Sequence, residues 1–203
     1  MGLVLVFRFY FLCNTVKLFQ VLFLLYFCCG LRLSEGRLLK WEHIDLQKGI
    51  LIVLNSKGKK DRLVYLPQDS LPVLKSYKEC QEKLFPGIDW TFPGKDPRKP
   101  VSCSGVESSF NRHWAMLPAA RTLDKHPTPH CLRHAFVVER FNEWMRQGID
   151  TNTMLPYLSR YLGHKSPDKT YYYYHLVEKA FDTIREKDSV SGKVIPEVVR
   201  YEE

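Results

Sequence analysis

The stretch Gly49-Ile50-Leu51-Ile52-Val53-Leu54-Asn55-Ser56-Lys57-Gly58-Lys59-Lys60-Asp61-Arg62-Leu63-Val64-Tyr65-Leu66-Pro67 decides the fold class. β-Branched and apolar residues fill positions 50–54, a second such run fills 62–66, and Pro67 ends the pattern. Between the runs lies a polar turn, residues 55–61, in which Gly58 permits positive φ. These features predict a β-hairpin or a short three-stranded meander with a strongly basic tip. The rest of the chain reads as helix and loop. The expected class is therefore α+β, mostly α-helical with one small antiparallel sheet.

Towards the amino end, residues 16–29 read as a buried helix with Gly30 as its stop, and Ser34 as the N-cap of a short helix running to about Lys40. On the other side, residues 70–84 have helical character, and the Pro- and Gly-rich stretch 85–104 reads as a loop. A helix is expected over 105–117. Pro127 and Pro129 then lead into a long helix, 130–147, closed by Gly148. Val137, Phe141, Trp144 and Met145 fall at i, i+4, i+7 and i+8 along it and define one buried face. A further apolar helix, 154–162, ends at Gly163, and beyond Ala180 the chain turns polar. No internal repeat is visible. The spacing divides the chain into an apolar extension (1–15), one domain (16–186) and a polar tail (187–203).

A hydrophobic content of 45% rules out disorder, and a net charge of +8 favours a polyanionic partner. None of the six cysteines is paired as C-x-x-C, and several, such as Cys28 and Cys29, sit in apolar runs. That usage fits buried thiols in a reducing cytosol, with neither a zinc site nor a disulfide framework. The first thirty residues are strongly apolar, but Arg8, Asn14, Lys17 and Gln20 interrupt them. They offer no run of about 18 apolar residues and no clean signal-peptide pattern. The expectation is a cytoplasmic protein with a buried helix here and no membrane association.

Four separated segments carry chemistry. They are Gly30-Leu31-Arg32-Leu33-Ser34-Glu35; Ser56-Lys57-Gly58-Lys59-Lys60-Asp61-Arg62; His130-Cys131-Leu132-Arg133-His134; and Leu162-Gly163-His164, followed nine residues later by Tyr173. In this order, with a basic hairpin between the first two, they resemble the catalytic domain of tyrosine recombinases, the phage-integrase family. The resemblance runs from about Leu18 to Ala180. Its first segment departs from the pattern at Gly36-Arg37, where apolar helix formers would suit better.

Cleaving a phosphodiester gathers negative charge on the equatorial oxygens of a phosphorane. Arg32 and Arg133 offer planar, permanently charged donors for that charge. One such preorganised donor is worth roughly 3 kcal/mol. His130 and Arg133, three residues apart, share a helix face. The pair His130 and His134 also has zinc-like spacing, but no glutamate follows His130 and no third ligand is evident, so no metal is expected. The resemblance implies that His130 serves acid–base work or phosphate contact, that His134 is structural, and that His164 completes the site. It implies that Lys57 protonates the departing 5′ oxygen, with Lys59 and Lys60 as rivals in the same turn. Lys59, Lys60 and Arg62 are the expected DNA contacts.

Tyr171, Tyr172, Tyr173 and Tyr174 are consecutive, so the nucleophile must be chosen by register. The spacing from Gly163-His164 and the presence of His175 two residues on point, by resemblance, to Tyr173, with Tyr172 and Tyr174 one residue away. The implied reaction needs neither cofactor nor ATP. A tyrosine attacks double-stranded DNA, a 3′-phosphotyrosyl bond forms, and a 5′ hydroxyl from a partner strand reverses the step. Two rounds of exchange imply four protomers on paired sites. The apolar stripe Val177, Ala180, Phe181 and Ile184 fits either docking on a neighbouring protomer or a contact within the chain.

Full-length members carry a DNA-clamping domain of roughly a hundred residues ahead of this one, a size usual for a small domain. Here about fifteen residues precede the first family helix. The competing expectation is thus a truncated DNA-binding remnant or regulator without recombination activity. A type IB topoisomerase, with a similar arginine–lysine–tyrosine site, is less favoured by the His-x-x-Arg and Gly-His pairs.

Overall fold

The computed structural model describes residues 14–56, 60–122, 126–164, 166 and 169–173. Its first element, α1 (Asn14–Cys29), is apolar on nearly every side and forms the central rod. Leu22, Leu25, Tyr26 and Cys29 are almost wholly buried, spaced three and four residues apart as a helix face requires. Gly30, at φ +61°, ends it, and a Cβ there would lie 2.5 Å from the Phe136 ring. The glycine is needed both for the turn and for that approach.

The short helix α2 spans Leu33–Arg37, and its N-cap is Arg32 rather than Ser34. The Glu35 carboxylate folds back to accept from the Arg32 backbone N–H at 2.7 Å, half of a capping box. Gly36, out of place by helix propensity, is explained by packing. A side chain there would run into the Tyr26 ring, whose Cζ would be 3.0 Å from the new Cβ.

The sheet has three antiparallel strands in the order β1 (Ile44–Asp45), β2 (Ile50–Ser56) and β3 (Lys60–Tyr65). Ser56 pairs with Lys60, so the turn is shorter than the seven residues expected, and a register shift falls between Val53 and Ser56. Alternation along β3 sends Arg62 and Val64 inward, and Leu66 beyond the strand follows them. Leu63 and Tyr65 point out, and so does Ile52 on β2.

After the sheet come α3 (Leu71–Leu84) and α4 (Cys103–Ala115). The latter starts two residues earlier than its pattern suggests because the Ser102 hydroxyl caps it, accepting from Gly105 N–H at 3.0 Å. The long helix α5 (His130–Arg146) follows Pro129 and lies along α1. Helix α6 (Thr151–Leu162) begins three residues before the apolar run, with Asp150 as its cap, accepting from Asn152 and Thr153 N–H. Gly163, at φ +65°, closes it, and residues 169–173 are again helical.

Two apolar clusters result. The larger gathers α1, the sheet, α3 and α4; the smaller gathers α5, α6 and Tyr173. Tyr161 packs against both and stacks on Phe136 at 5.7 Å. Arg32 and Arg133 lie at this seam. Residues 1–13 and 174–203, which hold the expected extension and tail, fall outside the described residues.

Candidate active site

Two arginines donate to the carbonyls at the end of α6, that of its last residue Leu162 and that of the closing Gly163. Arg133 Nη2 donates to Leu162 O at 2.8 Å, and Arg32 Nη2 donates to the next carbonyl, Gly163 O, at 2.7 Å. Residues 101 positions apart are thereby brought side by side at the negative end of one helix. Arg133 also donates through Nη1 to Gly30 O at 2.5 Å, which spans the seam between the two clusters. Its side chain is 2% exposed. Burial, and next the Arg32 charge, pull its pKa down to about 10, so it stays charged at neutral pH.

Glu35 supplies the opposing charge. Arg32 Nη1 reaches Oε1 at 2.6 Å, Arg62 reaches both oxygens at 2.7 Å, and Arg133 Nη1 stands 3.9 Å from Oε2. Burial works against the carboxylate. The Arg62 and Arg32 hydrogen bonds nonetheless hold its pKa down at about 2. The sequence quoted Glu35 only as part of a motif; the structure makes it the hub of three guanidinium groups. Arg62, expected to contact DNA, is instead turned inward to Glu35, as its place with Val64 and Leu66 on the inner face of β3 dictates.

His164 follows directly on Gly163. Its Nε2 accepts from Arg133 Nη2 at 3.1 Å, since a guanidinium only donates. Nδ1 must then carry the proton and donate to Thr170 Oγ1, 2.9 Å away. Burial, followed by the Arg133 and Arg32 charges, lowers its pKa to about 4, so the ring is neutral in ordinary conditions.

The first turns of α5 carry His130, Arg133 and His134, as the spacing predicts. Arg133 is buried and His130 exposed, near the positive end of the helix. The His130 ring meets that of His134 edge-on, centroids 4.5 Å apart. Burial and neighbouring positive charge lower the pKa of both histidines.

Tyr173 is 5% exposed and sits in the smaller cluster, whereas Tyr171 and Tyr172 are exposed. Its hydroxyl lies 2.5 Å from His134 Nδ1, a partnership the sequence did not suggest. Burial raises its pKa, and the Arg133 charge works the other way. The structure thus gathers Arg32, Arg133, His164 and Tyr173 with Glu35 and His134, and leaves His130 at the rim. Lys57 and Lys59 lie outside the described residues, as do Tyr174 and His175. Lys60 opens β3. Among the described residues, no cluster of three or more His, Cys, Asp or Glu side chains could hold a metal. Nor is any helix there long and apolar enough to cross a membrane.

This constellation of two arginines and a histidine around the end of one helix, beside a buried tyrosine, coincides with a family match. The phage integrase family matches residues 13–180. The chain belongs to that family. Among its relatives, the protein y4rE of Sinorhizobium fredii, named as an integrase/recombinase, is 34% identical over 71% of this chain and 46% of its own length. The tyrosine recombinase XerC of Lactobacillus leichmannii is 31% identical over 75% of this chain and 48% of its own. The crystal structure of XerA recombinase superposes with a TM-score of 0.63 at 24% identity, over 86% of this chain and 57% of that one. The chain spans about half the length of the curated relatives it matches. The small sheet and helical surround are therefore those of integrase catalytic domains.

Proposed function

We propose that this chain is the catalytic part of a site-specific DNA recombinase that breaks and rejoins DNA through a 3′-phosphotyrosyl intermediate. The observation that carries the reading is the seating of Arg32 and Arg133 on consecutive carbonyls of α6, with Glu35 fixing Arg32, beside the buried Tyr173. Two cations held beside the tyrosine suit the charge that a phosphorane develops. His164 holds Arg133, and His130 at the start of α5 faces incoming phosphate. Tyr173 attacks phosphorus, the 5′ oxygen leaves, and the phosphotyrosyl bond conserves the energy for rejoining. Lys57 supplies the proton to that oxygen, and Lys59 and Lys60 contact the DNA backbone.

The net charge of +8 supports duplex DNA as partner. So does a likeness in fold to the XerH recombinase bound to its difH substrate, with a TM-score of 0.62 at 21% identity. The assembly proposed is four protomers on paired sites in the cytoplasm, with the stripe of Val177, Ala180, Phe181 and Ile184 docking either on a neighbouring protomer or within the chain.

The test is covalent trapping. A nicked duplex carrying the sequences that flank the coding region is incubated with the protein without divalent metal and run on a denaturing gel. A protein–DNA adduct that Tyr173→Phe abolishes is the expected result. An adduct that persists in Tyr173→Phe, or none with any flanking duplex, would sink the proposal.

A further inference from the structure

We infer that His134 takes the proton from the Tyr173 hydroxyl as that oxygen attacks phosphorus. The inference rests on the reading of Tyr173 as the nucleophile. Its basis is the direct contact of Tyr173 Oη with His134 Nδ1 at 2.5 Å, the two rings 5.2 Å apart and inclined at 43°. His134 lies on α5 and Tyr173 39 positions later, so tertiary packing and not local sequence makes this pair.

The other histidines are less suited. Both ring nitrogens of His164 are engaged, one by Arg133 and one by Thr170. His130 is exposed at the start of α5 and touches the pair only through the edge of the His134 ring. A phenol of ordinary pKa about 10 is a poor nucleophile near neutrality and needs a base within hydrogen-bond reach. His134 alone among the three is at that distance from Oη.

The groups facing His134 are His130 and Arg133 from its own helix and Tyr173 from the segment 169–173. Burial and the Arg133 charge disfavour the charged His134 ring, and in its tautomer protonated at Nε2 the Nδ1 lone pair accepts the O–H. A bound phosphate brings negative charge to the same arginines. That offsets the repulsion opposing an imidazolium, and the ring becomes more basic as substrate arrives.

The step balances. The Oη–H bond breaks and its proton goes to Nδ1. The phenolate oxygen bonds to phosphorus while the P–O5′ bond breaks, and the 5′ oxygen takes a proton from a separate general acid. In the rejoining step a 5′ hydroxyl bonds to phosphorus and returns its proton to the conjugate base of that general acid, while the P–Oη bond breaks and the His134 imidazolium returns its proton to the leaving tyrosine oxygen.

The experiment uses the nicked flanking duplex in two forms, one ordinary and one with a 5′-bridging phosphorothiolate at the scissile position. Sulfur leaves without a proton, so defects in leaving-group protonation recover on the second form and defects in nucleophile activation do not. His134→Asn keeps an acceptor near the Nδ1 position but has no basicity. It is expected to slow adduct formation on the order of 10²–10³-fold on both duplexes, to bind DNA as the wild type does, and to lose the acidic limb of the pH–rate profile. In ¹⁵N spectra of the free protein, His134 Nδ1 should be unprotonated. A wild-type rate and pH profile in His134→Asn would overturn the inference, leaving Tyr173 as nucleophile. So would recovery on the phosphorothiolate, or a protonated Nδ1. Absence of any Tyr173-dependent adduct in the wild type would instead overturn the reading beneath it, and the inference with it.

Discussion

Arg62 and Glu35 meet end-on, Nη1 to Oε1 and Nη2 to Oε2, each at 2.7 Å, although one lies on a strand and the other on a helix. The side chains are 9% and 5% exposed. Fork-on-fork pairing of this kind joins both carboxylate oxygens to both terminal guanidinium nitrogens. Removing the carboxylate leaves guanidinium groups buried without their counter-charge, which costs about 3–5 kcal/mol. Glu35→Ala should therefore lower unfolding free energy by about that much in urea titrations and release Arg32 from its fixed orientation. A loss under about 1 kcal/mol would show that water replaces the carboxylate freely.

The same pairing separates Arg62 from the basic tip of the hairpin. A lysine that contacts phosphate contributes about one unit to the salt dependence of DNA binding, whereas a residue committed to an internal ion pair does not. Arg62→Gln should therefore reduce stability while leaving the slope of log K against log salt nearly unchanged. Lys59→Gln should do the reverse. An unchanged melting temperature with a shallower slope in Arg62→Gln would restore Arg62 to the DNA surface.

Stability should also fall on acidification in two stages. The His164 pKa is lowered to about 4 from 6.5, so between those values the unfolded chain takes up a proton that the folded one refuses. Stability is thus complete above about pH 6.5 and declines as pH drops towards 4. Glu35, lowered to about 2 from 4.5, adds its own loss as pH falls below 4.5. Denaturation midpoints measured from pH 7 to pH 3 check both stages. His164→Gln should make the first stage shallower and leave the second, whereas an unchanged first stage would show that His164 titrates normally when folded.

What the sequence revealed was whatever lies in local residue type. Gly30 and Gly163 end helices, Pro129 precedes one, and two apolar runs around a polar, glycine-containing turn write the hairpin, so the elements and the boxes they carry were readable. Less visible were features made by short-range capping. Strand β1 is only two residues long, and α4 and α6 begin early at the Ser102 and Asp150 caps. Hidden altogether were the contacts across the seam. That Arg32 and Arg133 share neighbouring carbonyls, or that His134 meets Tyr173, depends on how α5 settles against α1 and α6 against α5 and β3. The inward turn of Arg62 was hidden too, since Leu63 to Leu66 are all apolar and the sequence marks neither alternate set as the buried face.

Gly36 offers a case in which propensity and packing oppose each other. Alanine in place of glycine gains about 1 kcal/mol in an unconstrained helix. At this position the added methyl would crowd the Tyr26 ring and lie 3.2 Å from Leu22 Cδ1. Tyr26 has little room to retreat, being 1% exposed and donating its hydroxyl to Leu33 O at 2.8 Å. Overpacking of this kind costs about 1–3 kcal/mol, so Gly36→Ala should destabilise despite its better propensity. A raised melting temperature would mean that α2 shifts away from α1 without penalty.

The tyrosine run makes the strictest test of register. Tyr171 is 43% exposed, Tyr172 60% and Tyr173 5%, and the Tyr173 hydroxyl is the one that meets His134. Removing a hydroxyl from an exposed ring changes neither packing nor the arginine pair. Tyr171→Phe and Tyr172→Phe should thus leave the rate of adduct formation within about twofold, the range expected of surface changes below 0.5 kcal/mol. Tyr173→Phe should abolish the adduct while keeping the fold, since its ring still fills the cluster of Val137, Phe141 and Leu155. Mass spectrometry of the digested adduct would place the phosphodeoxynucleotide on one tyrosine. Finding it on Tyr172 would require residues 169–173 to rotate by about 100° of helix, one residue's share of a 3.6-residue turn, which would expel Tyr173 from the core and make Tyr172 the nucleophile.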